Sequence, residues 1–352
     1  MIAVRKLSAR PGIDVCNVPD PQGRPGRGML RVRVEAAGIC GSDLHTYKWS
    51  SGYEFMEERL PITLGHEFSG TVHTVGSGVN DFADGHRVVC WPVIPCGKCE
   101  GCERGYPEQC RDRSIVGLHR DGGFAEWVDV PAESCLIVPN SLTPDIAALA
   151  EPLAVSVNSV DLSEAGPGDT VVVLGPGPIG LCAAWVAQHR GAQVLLAGLN
   201  DDARLKTAQD MGLEHVVDLA RANLASETRQ VFGRDADIVI EATGHPDSVS
   251  QGLRLLRPCG VFVAAGIHGR PYEIDLTRFV REKKQIRGAH DTTRAAFAEA
   301  VMLLSDHGGV LSQLITHQLP FSRGSEGFEI ANGGAAVKVM LVPDHAEKEG
   351  SQ

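Results

Sequence analysis

Val171-Val-Val-Leu-Gly175-Pro-Gly177-Pro-Ile-Gly180 carries an apolar run into a G-x-G-x-x-G pattern, and Ile179 to His189 continues with a helical rhythm. The first glycine makes the turn, the second lets backbone approach a pyrophosphate, and the third lets helix pack closely on strand. The helix N-terminus then faces the phosphates. Further apolar runs follow at Val194-Leu-Leu-Ala, Asp237-Ile-Val-Ile-Glu and Gly260-Val-Phe-Val-Ala-Ala-Gly, separated by helical stretches such as Arg204 to Met211. Strands buried on both faces and alternating with helices imply an α/β fold with a Rossmann-type, doubly wound parallel sheet.

Outward from this core the texture changes. Before Pro152 the chain shows short alternating segments cut by Gly and Pro, such as Leu30-Arg-Val-Arg-Val-Glu35. These suit a mainly β domain. From Ala289 a helix over Ala295 to Leu304 and a strand at Lys338-Val-Met-Leu-Val are expected, and the tail His345 to Gln352 is expected to be disordered. The expected division is 1–154 for the β domain, 155–288 for the nucleotide domain, and a return of 289–352 to the first. A chain of 352 residues is too long for one core, which agrees with two domains.

A net charge of −11 without a Lys/Arg cluster excludes nucleic acid and anionic membranes as partners. The most apolar region, Val171 to Ala187, is broken by glycines and prolines, so no membrane span is expected. No secretory signal is visible, and a cytoplasmic location is expected.

Ten cysteines in such a chain read first as metal ligands or reactive thiols. Cys96, Cys99, Cys102 and Cys110 place four thiolates on one loop, within a lobe of about 90–112. Two disulfides or an iron–sulfur cluster could use the same residues. The regular spacing and a reducing compartment favour a closed, structural zinc site. A second set lies in Gly38-Ile-Cys-Gly-Ser-Asp-Leu-His45 and Leu64-Gly-His-Glu-Phe-Ser-Gly70. Cys40, His66 and Glu67 offer a thiolate, an imidazole and a carboxylate, the ligand count of a catalytic zinc with one open position.

Cys40, then Gly-His-Glu, then the four-cysteine loop, then the glycine motif closely resembles the order in zinc-containing medium-chain dehydrogenases/reductases. The sorbitol, butanediol and threonine dehydrogenase branches are the nearest in pattern. The resemblance runs from about residue 1 to 343 and includes Gly122-Gly-Phe-Ala-Glu126, Glu151-Pro-Leu153 and Glu241-Ala-Thr-Gly244. It implies a partly open, barrel-like catalytic domain with two zinc ions per chain. Cys40 and His66 fall on the catalytic zinc ligands, Glu67 on the carboxylate ligand of the polyol branch, and Glu151 on a glutamate that can approach or replace a ligand. Ser42 matches the hydroxyl that takes the substrate's proton, and His45 the histidine that relays it to solvent. A homodimer or homotetramer is implied too, formed along the edge strand of the nucleotide domain, with Gly260 to Gly269 as the expected contact.

Gly175, Gly177, Pro178, Ile179 and Gly180, with Thr243 and Gly266, are the expected cofactor-binding residues. An acid normally holds the adenosine ribose at the end of the second strand when NAD is used; here Gly198 stands there. Gly198 is expected to leave room for a 2′-phosphate, with Asn200 or Arg204 binding it and Asp201 and Asp202 opposing. The balance leans to NADP over NAD. The expected substrate is a small polar alcohol or ketone, foremost a polyol, sugar alcohol or vicinal diol. The threonine branch has a histidine three residues before its first lobe cysteine; Val93 occupies that place, which disfavours threonine. Tyr47 and Trp49 either line the pocket or pack. A catalytically silent nucleotide-binding relative would have lost the metal set, and this chain retains it.

Overall fold

The computed structural model describes residues 1–344, so the expected disorder of His345–Gln352 lies outside the described residues. The chain divides into two compact units. One joins Met1–Glu151 to the segment from Thr292 onward, and the other is Pro152–Asp291. These joints fall a few residues from 154/155 and 288/289.

In Pro152–Asp291 a six-stranded sheet runs His215–Asp218, Gln193–Gly198, Thr170–Leu174, Ala236–Glu241, Leu256–Ala264, Gln285–Gly288. Every neighbouring pair is parallel. In chain order this is 3-2-1-4-5-6, the order of the dinucleotide-binding fold, with its crevice where the order reverses. Val171, Val172 and Val173 are wholly buried, as a strand covered on both faces requires. The helix Pro178–His189 starts with Gly177 as N-cap and Pro178 at its first turn, where a missing N–H costs nothing.

One expectation is corrected here. Leu256–Ala264 is paired on both sides, so Gly260 to Gly269 does not hold the edge strand. Gln285–Gly288 does.

The other unit is mainly β. A seven-stranded sheet includes Glu67–Val75, Met29–Gly38 and the late strand Lys338–Val342 side by side. A three-stranded sheet formed by Asp14–Asn17, Ile2–Lys6 and Ile62–Thr63 accompanies it. The expected helix over Ala295 to Leu304 extends from Arg294 to Leu311. Met29–Gly38 leads into the helix Gly41–Lys48, with Cys40 as its N-cap. Among the described residues no helix is long and apolar enough to cross a membrane.

Candidate active site

Cys40, His66 and Glu67 come together: one ligand atom from each lies within 4.8 Å of the others. Local structure explains the convergence. Cys40 is held at the helix start, where its N–H donates to the Asp43 carboxylate at 3.0 Å. His66 and Glu67 enter the neighbouring strand, whose Glu67 is in register with Gly38. A Cβ at Gly38 would collide with the Glu67 carboxylate and sit 3.2 Å from Lys338 Cδ, so only glycine fits there.

The donor set fits a zinc ion. Burial pushes the Cys40 thiol up, and the neighbouring Glu67 pushes it further. A divalent cation reverses that cost by binding the thiolate. His66 Nδ1 and Asp43 Oδ1 are both buried without a hydrogen-bond partner, 3.7 Å apart. A small approach lets Nδ1–H donate to Asp43, which sets the tautomer that frees Nε2 for metal. Glu151 is buried at the start of Ala150–Ser163 and its charge reaches both Cys40 and His66, yet it does not join the group of three.

Ser42 Oγ lies 3.1 Å from His66 Nε2. His45 Nδ1 is 3.4 Å from Ser50 Oγ, and its ring stacks on Tyr53 with centroids 5.6 Å apart. No hydrogen bond joins Ser42 to His45 among the described residues. Tyr47 and Trp49 both pack against the apolar core, Tyr47 against Phe328.

The four lobe cysteines form the second group with donor atoms within 4.8 Å of one another. Cys99 and Cys102 Sγ are 3.6 Å apart, far beyond a disulfide bond, and no disulfide joins any of the cysteines among the described residues. Backbone N–H groups of Cys102 and Arg111 pull Cys99 down to about 6, whereas desolvation and then Cys99 push Cys102 up to about 12. Four close sulfurs that cannot all ionise alone are matched to a dication. Cys99→Ser is expected to lower bound zinc from about two per chain to about one, and to lower the melting temperature. A melting temperature unmoved by that loss would remove the bracing role.

In the nucleotide unit, a Cβ at Gly177 would meet nothing within 4 Å, an open cradle at the helix start, whereas one at Gly180 would strike the Gly175 carbonyl. Pro178 and Ile179 are half-buried beside that cradle. Thr243 and Gly266 lie at the ends of adjacent strands. The adenosine end departs from expectation. The space beside Gly198 is not free: Leu205 Cδ2 and Pro176 Cγ lie 2.9 Å from where its Cβ would be. Arg204 Nη1 lies 3.4 Å from Asp201 Oδ2, and Asn200 donates its N–H to Asp218 at 2.9 Å. Gly198 is therefore a packing residue.

Residues 26–140 match the family model described as alcohol dehydrogenase GroES-like domain, and residues 178–306 that described as zinc-binding dehydrogenase. Sorbitol dehydrogenase of Halalkalibacterium halodurans is 34% identical over 329 residues, covering 92% of this chain and 94% of that protein. This chain belongs to the zinc-containing medium-chain dehydrogenase family. L-threonine 3-dehydrogenase of Bacillus subtilis is 34% identical over 97% of this chain and 99% of its own. A solved zinc-binding dehydrogenase from Sinorhizobium meliloti 1021, bound to NADP, superposes with a TM-score of 0.85 at 31% identity, covering 97% of this chain and 99% of that one. As a member of the family, the chain is an alcohol dehydrogenase.

Three residues of this dehydrogenase site escape sequence reasoning. Asp43 stands in the sequence only as part of a motif, yet its carboxylate is wholly buried against His66 and Cys40. Lys338 stands there only as a strand residue. Its ammonium donates to both Glu67 oxygens at 2.8 and 2.6 Å and to the Ile39 carbonyl, at 2% exposure. Tyr53, whose hydroxyl is pushed up by burial and then by Cys40 and Asp43, borders the donor set. A lysine leading an otherwise apolar strand is the one signal that flags Lys338.

Proposed function

We propose that this dehydrogenase oxidises a secondary hydroxyl of a polyol, sugar alcohol or vicinal diol and reduces the corresponding ketone in reverse. The gathering of Cys40, His66 and Glu67 into one donor set, with His66 and Glu67 buried, carries the reading. When bound there, zinc supplies Lewis acidity toward the substrate oxygen. Glu67 rather than Glu151 is the resting carboxylate ligand, since Glu67 stands in the group of three. Lys338 uses two of the carboxylate's four lone-pair sites and leaves others for a metal.

The proton is the protein's task. Ser42 takes it from the substrate hydroxyl beside the His66 imidazole. His45 passes it to solvent; burial, then Lys48, pushes this imidazole down, so it is neutral and able to accept at physiological pH.

NADP is the proposed cofactor, by a small margin. Gly198 brings no carboxylate to the adenosine end, and the Sinorhizobium relative holds NADP. Arg204 shares its charge with Asp201, which keeps the margin narrow.

The threonine dehydrogenase relative supports a second reading, an amino alcohol as substrate. Val93 argues against it: the residue is 3% exposed in a strand paired with Ile115 and offers no polar group. A panel of polyols, vicinal diols and threonine with each cofactor, read by absorbance of the reduced nicotinamide, decides. The highest kcat/KM is expected on a polyol or diol. Threonine turning over faster than every polyol would overturn the assignment.

The proposed location is the cytoplasm, a reducing compartment that suits thiolate metal sites such as the four-cysteine lobe. A second copy of the chain is the proposed partner. It would dock along the edge strand Gln285–Gly288, near which Leu276 and Val280 are 66% and 69% exposed. A monomer in sedimentation at micromolar concentration would remove that proposal.

A further inference from the structure

Lys6 ends the strand Ile2–Lys6 and is wholly buried, yet the proton path from Ser42 to His45 makes no use of it. Burial pushes its pKa down to about 8 against the pull of Asp14, so keeping an ammonium there is costly. A methionine would fill the place without that cost. What a methionine lacks is the directed grip of a charged donor.

The ammonium donates to the carbonyl of Arg10 and, at 2.8 Å, to that of Gly12. It also faces the Trp49 ring, 5.2 Å from the centroid. Both contacts lead to the C-terminal end of Gly41–Lys48. Gly12 donates its own N–H to the Tyr47 carbonyl at 2.7 Å. Trp49 is the C-cap of that helix and lies in the left-handed region, at φ 52°. A bulky residue keeps that conformation only where its surroundings impose it. Here the apolar core and the Lys6 charge do so.

His45 depends on that helix end. The helix has 8 residues, too short to be stable by itself, and His45 lies in its last turn. Ser50, just past Trp49, donates its N–H to the His45 carbonyl at 2.9 Å, and its hydroxyl lies 3.4 Å from Nδ1. Tyr53, on which the imidazole stacks, donates its N–H to the Ser50 carbonyl at 3.3 Å. Both groups that orient the ring therefore follow the turn made at Trp49. The strand that carries Lys6 is itself tied to the metal ligands. Lys6 pairs with Ile62, and Leu64 donates its N–H to the Val4 carbonyl, in the segment that leads into His66.

We propose that Lys6 is a positioning residue for proton transfer: its ammonium clamps Trp49 and the Gly12–Tyr47 contact, and so fixes the His45 ring relative to the metal ligands. The inference rests on the reading of Ser42 and His45 as the proton path. Lys6 stands outside the donor set and acts through His45. A shift of about 1 Å in a reacting group can cost about a hundredfold in rate, so a loosened helix end is enough to slow the reaction.

The test is a double-mutant cycle on the full, zinc-loaded chain at pH 7, with saturating dinucleotide and the alcohol that the panel above ranks highest. Single-turnover appearance of the reduced nicotinamide gives the rate, and its substrate dependence gives the half-saturating concentration. His45→Gln is expected to lower the rate by about tenfold or more. Lys6→Met is expected to lower it about tenfold, with half-saturation and zinc content within about twofold of wild type. The double variant should stay within about twofold of His45→Gln, because both changes remove one function. Should Lys6→Met not fold, Trp49 carries the test. Trp49→Leu should then repeat the slowing without adding to His45→Gln, and Trp49→Phe, which keeps a ring beside the ammonium, should recover most of the rate. A wild-type rate in Lys6→Met, or in Trp49→Leu where that replaces it, overturns the inference. So does a double variant slowed by the product of the two single effects, or a slowing that comes with lost zinc or raised half-saturation, which would mean general damage. A wild-type rate in His45→Gln overturns the proton path itself, and the inference with it.

Discussion

Cys40→Ser is expected to lower kcat/KM by about a thousandfold or more, with dinucleotide affinity changed by less than about twofold. The asymmetry follows from where the residues sit. Cys40 belongs to Met1–Glu151, whereas the glycine motif and its helix belong to Pro152–Asp291. Serine is close in size, so the helix start and its bond to Asp43 survive. What is lost is the anionic sulfur. A metal turns a buried thiol into a thiolate ligand, but a serine hydroxyl does not ionise under the same pull. Zinc content should fall from about two per chain to about one. Near-full turnover in the variant with its remaining metal stripped would end the metal mechanism.

Lys338→Met should carry the largest stability cost. The ammonium is 2% exposed and the Glu67 carboxylate 1%, and they meet through two short hydrogen bonds. Removing one partner of a buried pair leaves the other charged without compensation, at about 3–5 kcal/mol. For a chain of this size each kcal/mol lowers Tm by about 2–4 °C. Metal changes the size of the effect in a definite direction. A bound cation also neutralises Glu67, so the loss should be larger in chelator-treated protein than in the zinc-loaded form. The double variant Lys338→Met, Glu67→Gln should regain part of the stability by removing the orphaned charge. A melt of the chelated Lys338→Met protein that matches wild type would show that the pair contributes little.

How far the sequence reveals this site depends on the kind of information each residue carries. The glycine motif and the four-cysteine lobe are written as short spacings, because the turn and the loop that they need are local. Gly175 to Gly180 and Cys96 to Cys110 are therefore legible in the order of residues alone. Lys338 is not, since it reaches Glu67 across 271 positions of sequence. Its partner is chosen by register: Met340 pairs with Gly38, and Gly38 with Glu67. Asp43 is close in sequence to Cys40, but its role comes from the approach of His66 on another strand.

Gly198 shows the opposite failure. A missing side chain announces space, and only the packing of Leu205 and Pro176 shows that the space is taken. The edge strand is misplaced by sequence reasoning for a related cause. An apolar run identifies a strand without giving its neighbours, and the short, partly exposed Gln285–Gly288 gives a weak signal.

The late strand Lys338–Val342 also orders events on the ribosome. Pro152–Asp291 contains all six of its strands once residue 291 has emerged. The other unit has most of its strands made before Pro152, yet cannot close its large sheet until Lys338–Val342 has emerged, because that strand lies between Met29–Gly38 and Ile315–Pro320. The usual N-terminal-first order of domain completion is thus inverted here. Glu67 waits for its counter-charge until after the whole nucleotide unit has been made, so a chain terminated between residues 291 and 338 is expected to retain a dinucleotide fold but lack a finished reaction centre.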